Sequence, residues 1–177
     1  MSVVDRGLDT ELGEPKYARI EYERRWLVDA AARPALADAW VTQIDDRYFH
    51  GSRIRLREMR RPDLGETKWK LTKKYECAEP RARPIVTTYL TEAEHALLSA
   101  LPAHDLFKRR LHFLHDGRHW SLDVFEGALA GLELVECEAA DETELARLEP
   151  PAWVLREITD LAQWQGGALA ANGIPED

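Results

Sequence analysis

Two short segments, one near each end of the chain, place carboxylates two residues apart. Glu21 and Glu23 stand in IEYERRWLV, and Glu136 and Glu138 stand in LVECE. Residues two apart share one face of a β-strand, so each pair would present its carboxylates in one direction. Carboxylate oxygens suit hard divalent cations such as Mg²⁺ and Mn²⁺. The two segments therefore indicate a site for such a cation.

Basic residues recur at the same spacing between the two acidic segments. From Arg47 to Lys74 the chain carries ten Lys or Arg against three Asp or Glu. Guanidinium forks and ammonium groups are the usual donors to phosphate oxygens. The basic side chains that fall on shared strand faces are Arg53, Arg55, Arg57, Lys70, Lys74, Lys108 and Arg110. Together with the carboxylates, they indicate a site for a polyanion and a cation.

Strands must position these residues, because polar and apolar residues alternate over most of the chain after residue 16. We predict eight strands, near residues 18–28, 44–50, 52–59, 67–75, 84–90, 106–115, 118–125 and 132–139. Four short helices are expected: at 34–40, after a capping box formed by Thr91 and Glu94, at 141–148 and at 159–171.

Six of these strands have one charged face and one mostly apolar face. A solvated outer face explains any single strand of this kind. However, the strands are sorted by the sign of their charges, and like charges on one face destabilise a sheet unless opposite charges lie among them. We therefore predict a mainly β (α+β) fold: a closed eight-stranded antiparallel β-barrel with a charged interior and helices packed outside.

Composition narrows the class of protein. The chain has 177 residues, of which 45% are apolar and 32% charged, so we expect a mobile leader at 1–16 and a single domain at 17–177. The start lacks a secretory signal and no long apolar run follows, which favours a cytoplasmic protein. The net charge of −8 argues against binding of nucleic acid or an anionic membrane. Walker A, GxGxxG and HExxH motifs are absent, which disfavours nucleotide-binding folds and zinc hydrolases.

An ordered set of motifs resembles one family. IEYERRWLV from Ile20 is similar to the ExExK signature of the triphosphate tunnel metalloenzymes, also called the CYTH superfamily. RIRLR from Arg53, KLTKK from Lys70, KRR from Lys108, LDVFEGALAGLELVECE from Leu122 and REITD from Arg156 follow in the family's order. The resemblance covers about residues 17–173. It implies an eight-stranded antiparallel tunnel that binds triphosphate in its lumen and, with Mg²⁺ or Mn²⁺ as cofactor, hydrolyses or rearranges it.

Matched by motif, the resemblance implies a role for each candidate residue. Glu21, Glu23, Glu136 and Glu138 would be metal ligands, and Asp123 falls on a further acidic position of the family. For Asp123, a salt bridge within its hairpin is an equal alternative, and Glu126 is a weaker substitute. The phosphate-binding residues would be Arg53, Arg55, Arg57, Lys70, Lys74, Lys108 and Arg110, with Glu21, Glu23 and Arg25 as the catalytic set.

Arg25 departs from the family's signature, which has lysine at this position. A guanidinium stays protonated, so Arg25 can bind phosphate but cannot give up a proton. Water activation would then depend on the metal, which lowers the pKa of a coordinated water. Tyr48 is a possible helper near the entrance, although a tyrosine packed with a solvated hydroxyl explains it as well.

Three functions fit these observations. The first is metal-dependent hydrolysis of a small linear triphosphate, inorganic tripolyphosphate above all, to diphosphate and phosphate. The second is an adenylate cyclase of class IV type, which also needs a pocket for the base. The third is a non-catalytic module that binds polyphosphate or a phosphometabolite. In each case the partner is a small molecule with a triphosphate or similar group.

Overall fold

Eight antiparallel strands close into a barrel, and a ninth strand extends the sheet beside the first. In this computed structural model, which describes residues 17–176, the strands are β1 (Arg19–Val28), β2 (Trp40–Phe49), β3 (Ile54–Arg61), β4 (Glu66–Lys74), β5 (Ala82–Leu90), β6 (Ala103–His115), β7 (Arg118–Glu126), β8 (Glu133–Ala139) and β9 (Val154–Glu157). The order around the barrel is β1, β5, β4, β3, β2, β6, β7, β8 and back to β1. The predicted closed antiparallel barrel is confirmed.

The first strand has three partners. Its first half pairs with β5, and the stretch from Tyr22 to Leu27 pairs with β8. Its last residues also pair with β9, which the sequence analysis missed. Four residues are too few to show a clear period-two pattern, which accounts for the omission.

Helices are few and short. They are α1 (Glu92–Leu98), α2 (Glu142–Ala146) and α3 (Gly166–Asn172), with 3₁₀ turns at Gly127–Leu129 and Ala162–Trp164. The predicted capping box is present, because the Thr91 hydroxyl accepts from the Glu94 amide and the Glu94 carboxylate accepts from the Thr91 amide. None of the helices formed by residues 17–176 has the length and apolarity of a membrane-spanning segment.

The helix predicted at 34–40 is wrong. The chain makes turns there, and Trp40 instead begins β2 and pairs with His112. Once the sheet takes Trp40, the rest of the segment is too short to sustain a helix in isolation. The predicted leader, residues 1–16, lies outside the described residues.

Two apolar clusters hold the barrel together. One lies on the outer faces of β1, β7 and β8 beneath α2, where the rings of Trp26 and Trp120 are 5.4 Å apart. The second contains Leu106, Phe125 and Leu134 together with Trp164 and Leu169 of the C-terminal segment. Leu106 and Leu134 stand two residues from Lys108 and Glu136 on the same strand faces. The interior is therefore charged in its middle but apolar where the C-terminal segment covers it, which refines the predicted charged interior.

Candidate active site

A cavity of about 1460 Å³ occupies the interior of the barrel and opens beside the β2–β3 turn. Side chains from all eight barrel strands line it, together with residues 160–171 of the C-terminal segment. The predicted site residues that line it are Glu21, Glu23, Arg25, Arg53, Arg55, Arg57, Lys74, Lys108, Arg110, Glu136 and Glu138. The alternation rule thus brings these eleven side chains to one cavity. Lys70 and Asp123 are not part of its lining.

Three carboxylates form an acidic cluster. Glu21 and Glu23 follow each other on the inner face of β1, and Glu138 on β8 lies directly opposite Glu23 in the ladder. One oxygen from each carboxylate can be chosen so that all three lie within 4.8 Å of one another. This spacing and the all-oxygen donor set fit a hard divalent cation.

The electrostatics of this acidic cluster also fit a cation. Burial raises the pKa of Glu23 to about 7, and the neighbouring carboxylate of Glu136 adds to the rise. Burial likewise raises the pKa of Glu138, helped by Glu21. Burial acts in the same direction on Glu21, but Lys74, whose Nζ lies 2.5 Å from Oε2, outweighs it and lowers that pKa. Around Glu23 and Glu138 the nearby positive charges, with Arg25 and Lys74 beside Glu23 among them, do not offset burial and the neighbouring carboxylates.

Glu136 interacts with arginines. Its Oε1 forms an ion pair with Arg110 Nη2 at 2.5 Å, and its Oε2 lies 3.9 Å from Arg25 Nε. Arg25 Nε also lies 3.8 Å from Glu23 Oε1, and Arg25 Nη1 donates to the carbonyl of Trp164 at 3.1 Å. Arg25 thus bridges the two predicted carboxylate pairs and ties β1 to the C-terminal segment.

Asp123 is buried in a network of positive charge. Its Oδ1 accepts from Arg110 Nε at 2.7 Å, and its Oδ2 accepts from Arg110 Nη2 at 2.8 Å and from Lys108 Nζ at 2.5 Å. These partners outweigh burial and hold the pKa of Asp123 far below its usual range. Burial lowers the pKa of Lys108 to about 8 despite Asp123. Both oxygens of Asp123 already accept from cations, so this arrangement favours the salt-bridge alternative over the predicted metal ligand.

Arginines on β3 and β5 offer hydrogen-bond donors to the cavity. The Nε atoms of Arg55 and Arg83 are buried and have no hydrogen-bond partner among the described residues. Buried donors of this kind are costly unless a ligand or water satisfies them. Arg57 differs, because Asp46 directly across the ladder binds its guanidinium.

Two predicted phosphate-binding residues have other surroundings. Arg53 stands at the mouth of the cavity and forms an ion pair with Glu76. Lys70 shares a strand face with Lys74, but its ammonium lies over the ring of Tyr89, 5.2 Å from the ring centre. Its role in binding phosphate stays a prediction, which this position does not favour.

Sequence reasoning missed two residues: Asp46, which binds the cavity-lining Arg57, and Arg83, which lines the cavity. Asp46 lies on the inner face of β2 with Tyr48, and the alternation rule applied to that strand would have found it. Arg83 lies just before the predicted start of β5, so an error of two residues at a strand boundary hid it.

Tyr48 packs against the start of α3. A Cβ atom at Gly166 would lie 2.1 Å from the Tyr48 hydroxyl, so this close approach requires glycine. Burial raises the pKa of Tyr48, and the neighbouring Asp46 adds to the rise, so the phenol keeps its proton and can donate a hydrogen bond. Tyr48 lines the cavity as the sequence predicts, and its part in catalysis stays a prediction.

The architecture of this protein is similar to that of several solved structures. No protein-family model matches the chain. A crystal structure of the inorganic triphosphatase NE1496 superposes with a TM-score of 0.59 and 26% identity, over 88% of this chain and 97% of that one. A second structure of NE1496 gives a TM-score of 0.57 and 28% identity over 85% and 97%. A Bacillus halodurans protein shares the fold at 15% identity and a TM-score of 0.51, over 73% and 86%.

The barrel and its charged cavity have the fold of the triphosphate tunnel metalloenzymes, which confirms the resemblance in the sequence. The chain is also similar to a curated protein, the inorganic triphosphatase of Nitrosomonas europaea, at 40% identity over 59 residues. That match spans 33% of this chain and 39% of the relative's length.

Proposed function

We propose that this protein is a metal-dependent triphosphatase that hydrolyses a small linear triphosphate, inorganic tripolyphosphate first of all, to diphosphate and phosphate. One observation carries the proposal: a single cavity joins the acidic cluster of Glu21, Glu23 and Glu138 to arginine Nε donors that have no hydrogen-bond partner within residues 17–176. A polyanion bound together with a cation satisfies both. The names of the similar proteins support the same reaction.

The cationic wall binds and orients the substrate. Arg55 and Arg83 donate from buried atoms, and Lys74, Lys108 and Arg110 add positive charge around the same space. Phosphoryl transfer needs charge stabilised on the phosphate oxygens more than covalent help from the protein. Preorganised donors in a partly enclosed cavity meet this need.

The acidic cluster would hold Mg²⁺ or Mn²⁺ through Glu21, Glu23 and Glu138, while Glu136 stands beside it in ion pairs with arginines. When bound, such a cation lowers the pKa of a coordinated water and offsets charge on phosphate oxygens. A guanidinium does not act as a base, so Arg25 contributes positive charge only.

Phosphate release from tripolyphosphate, ATP and thiamine triphosphate, each with Mg²⁺ or Mn²⁺, tests the proposal. We expect release from tripolyphosphate that a chelator abolishes. Cyclic AMP formed from ATP would favour the cyclase instead, and tight binding without turnover would favour the binding module.

A matched pair of variants on one strand tests the acidic cluster. We expect Glu138→Gln to lose metal-dependent turnover. Glu133→Gln, on the same strand but outside the cavity lining and paired with Arg33, should retain it. Equal loss in both would indicate damage to β8 rather than loss of a ligand.

A further inference from the structure

Asp46 places a negative charge beside a cavity proposed to bind a polyanion, because it binds the cavity-lining Arg57. Its side chain has no exposed surface, and it lies on the inner face of β2. By charge alone, a carboxylate here opposes the binding of phosphate groups. Its position therefore calls for a role that outweighs this repulsion.

The carboxylate of Asp46 fixes one guanidinium. Asp46 and Arg57 are direct partners in the β2–β3 ladder, and Oδ1 accepts from Nε at 2.6 Å while Oδ2 accepts from Nη2 at 2.7 Å. Two parallel hydrogen bonds set both the position and the plane of a guanidinium. These two hydrogen bonds engage Nε and Nη2 of Arg57, and Nη1 takes no part in them.

A second arginine lies within reach of the same carboxylate. Arg55 Nε is 3.7 Å from Asp46 Oδ1, and this nitrogen is one of the buried donors that find no hydrogen-bond partner in the described part of the chain. The positive charge of Lys108, on the neighbouring strand β6, also lowers the pKa of Asp46. Without Asp46, Arg55 and Arg57 would repel each other two residues apart on one strand face. The carboxylate therefore keeps two like charges close together and aligned.

Asp46 keeps its negative charge. Burial raises the pKa of Asp46, but Arg57 and Arg55 outweigh burial and hold it at about 2. The group is thus a fixed anion at neutral pH and does not exchange protons during turnover. Both its oxygens are committed to Arg57, so it contacts the substrate only through that arginine.

We propose that Asp46 is a positioning residue, which holds the guanidinium of Arg57 in the orientation that binds phosphate oxygens. The inference rests on the proposed triphosphatase function. A guanidinium fixed before the ligand arrives loses less conformational freedom on binding, which raises affinity.

The isosteric change Asp46→Asn separates positioning from bulk charge, because the two predict opposite signs. Removal of a negative charge beside the cavity should tighten tripolyphosphate binding if charge alone matters. If Asp46 positions Arg57, calorimetry should show binding weakened about tenfold or more, since fixing side chains in place contributes affinity of that order. KM should rise with it.

Asp45→Asn is the matched control. Asp45 stands one residue away on the outer face, where its carboxylate accepts from Arg60 at 2.8 Å. The Asp45→Asn substitution changes the net charge by the same amount as Asp46→Asn but should leave tripolyphosphate binding unchanged. Equal or tighter binding in Asp46→Asn than in the wild type would overturn the inference.

A second background covers the case in which Asp46→Asn fails to fold. Arg57→Gln removes the guanidinium, and the double variant with Asp46→Asn removes both charges of this pair, so neither is left buried without the other. If Asp46 acts through Arg57, the double variant should bind tripolyphosphate within about threefold of Arg57→Gln. A further tenfold loss would refute the inference. Failure of the wild type itself to bind tripolyphosphate would instead refute the proposed function.

Discussion

Glu23 and Glu138 face each other directly across the β1–β8 ladder, and both carboxylates have raised pKa values. Directly opposed like charges destabilise a strand pair. The two opposed carboxylates therefore lower the free energy of unfolding, and a bound cation would offset this loss.

Thermal melts without metal test that cost. Glu138→Gln removes one of the two opposed charges, so we expect the free energy of unfolding to rise by about 0.2 to 1 kcal/mol. The wild type should gain stability from Mg²⁺ or Mn²⁺, and the variant should gain less. A variant that is less stable without metal and equally stabilised by it would contradict the ligand assignment.

Arg55→Ala should weaken tripolyphosphate binding by about 1.5 to 3 kcal/mol, because one charge-assisted hydrogen bond is lost. Arg60→Ala is its control on the same strand, since Arg60 lies on the outer face and pairs with Asp45 and Glu58. Titration calorimetry measures both. Equal losses would mean that the alternation of faces does not decide which arginines bind phosphate.

Arg25→Lys restores the residue of the family's signature. A lysine can release its proton where a guanidinium cannot, so we expect the pH profile of kcat to gain an ionisation on the alkaline side. Arg24→Lys, at a residue that faces the other way and pairs with Glu157, should keep the wild-type profile. A profile unaltered by Arg25→Lys would show that this position supplies charge only.

His112 makes stability depend on pH. Burial lowers its pKa to about 4, with Arg110 adding to the effect, while the unfolded chain binds a proton near pH 6.5. Its contribution is therefore fully present above pH 6.5 and is lost as pH falls toward 4. Because the ring is partly exposed, we expect a loss of about 1 to 2 kcal/mol. Urea unfolding at several pH values gives the free energy of unfolding as a function of pH. This dependence on pH should be weaker in His112→Phe, which keeps a ring beside Trp40. An equal dependence would exclude His112 as its source.

Polyanions should stabilise the fold in the order tripolyphosphate, diphosphate, phosphate, even without metal. Each satisfies buried donors such as those of Arg55 and Arg83, and the longer anion reaches more of them. Binding to the native state alone raises apparent stability by about 2.7 kcal/mol at a hundredfold excess over Kd. Melting temperatures that do not change across the series would show that the cavity does not bind phosphate groups.

Local alternation was sufficient to predict the barrel and most of its lining. Glu21, Arg55 and Arg110 reach the cavity because period-two spacing decides the face of each side chain. The same rule could not tell which carboxylates would gather. Asp123 and Glu136 lie on inner faces, yet neighbouring arginines and Lys108 bind them, and only the register between strands decides that.

The other failures have similar causes. Trp40 was expected in a helix because Pro34 can start one, but its ring stacks on His112, 3.4 Å between ring centres, and Trp40 joins the sheet. The apolar end of the cavity depends on Trp164 and Leu169 returning to the barrel, a long-range contact without a local signal. Local patterns predicted strands and faces, whereas pairings between distant segments decided the rest.

The three partners of β1 have a consequence for how the chain acquires its active site. Among the strands of residues 17–176, β1 is synthesised first, whereas β8 and β9, which pair with its second half, are synthesised last. Contacts between such distant segments form slowly, because a long loop must close before they contribute any stability. Until β8 has been synthesised, the nascent chain therefore carries Glu21 and Glu23 without the strand that brings Glu138 beside them. Metal affinity should appear late in folding, together with barrel closure.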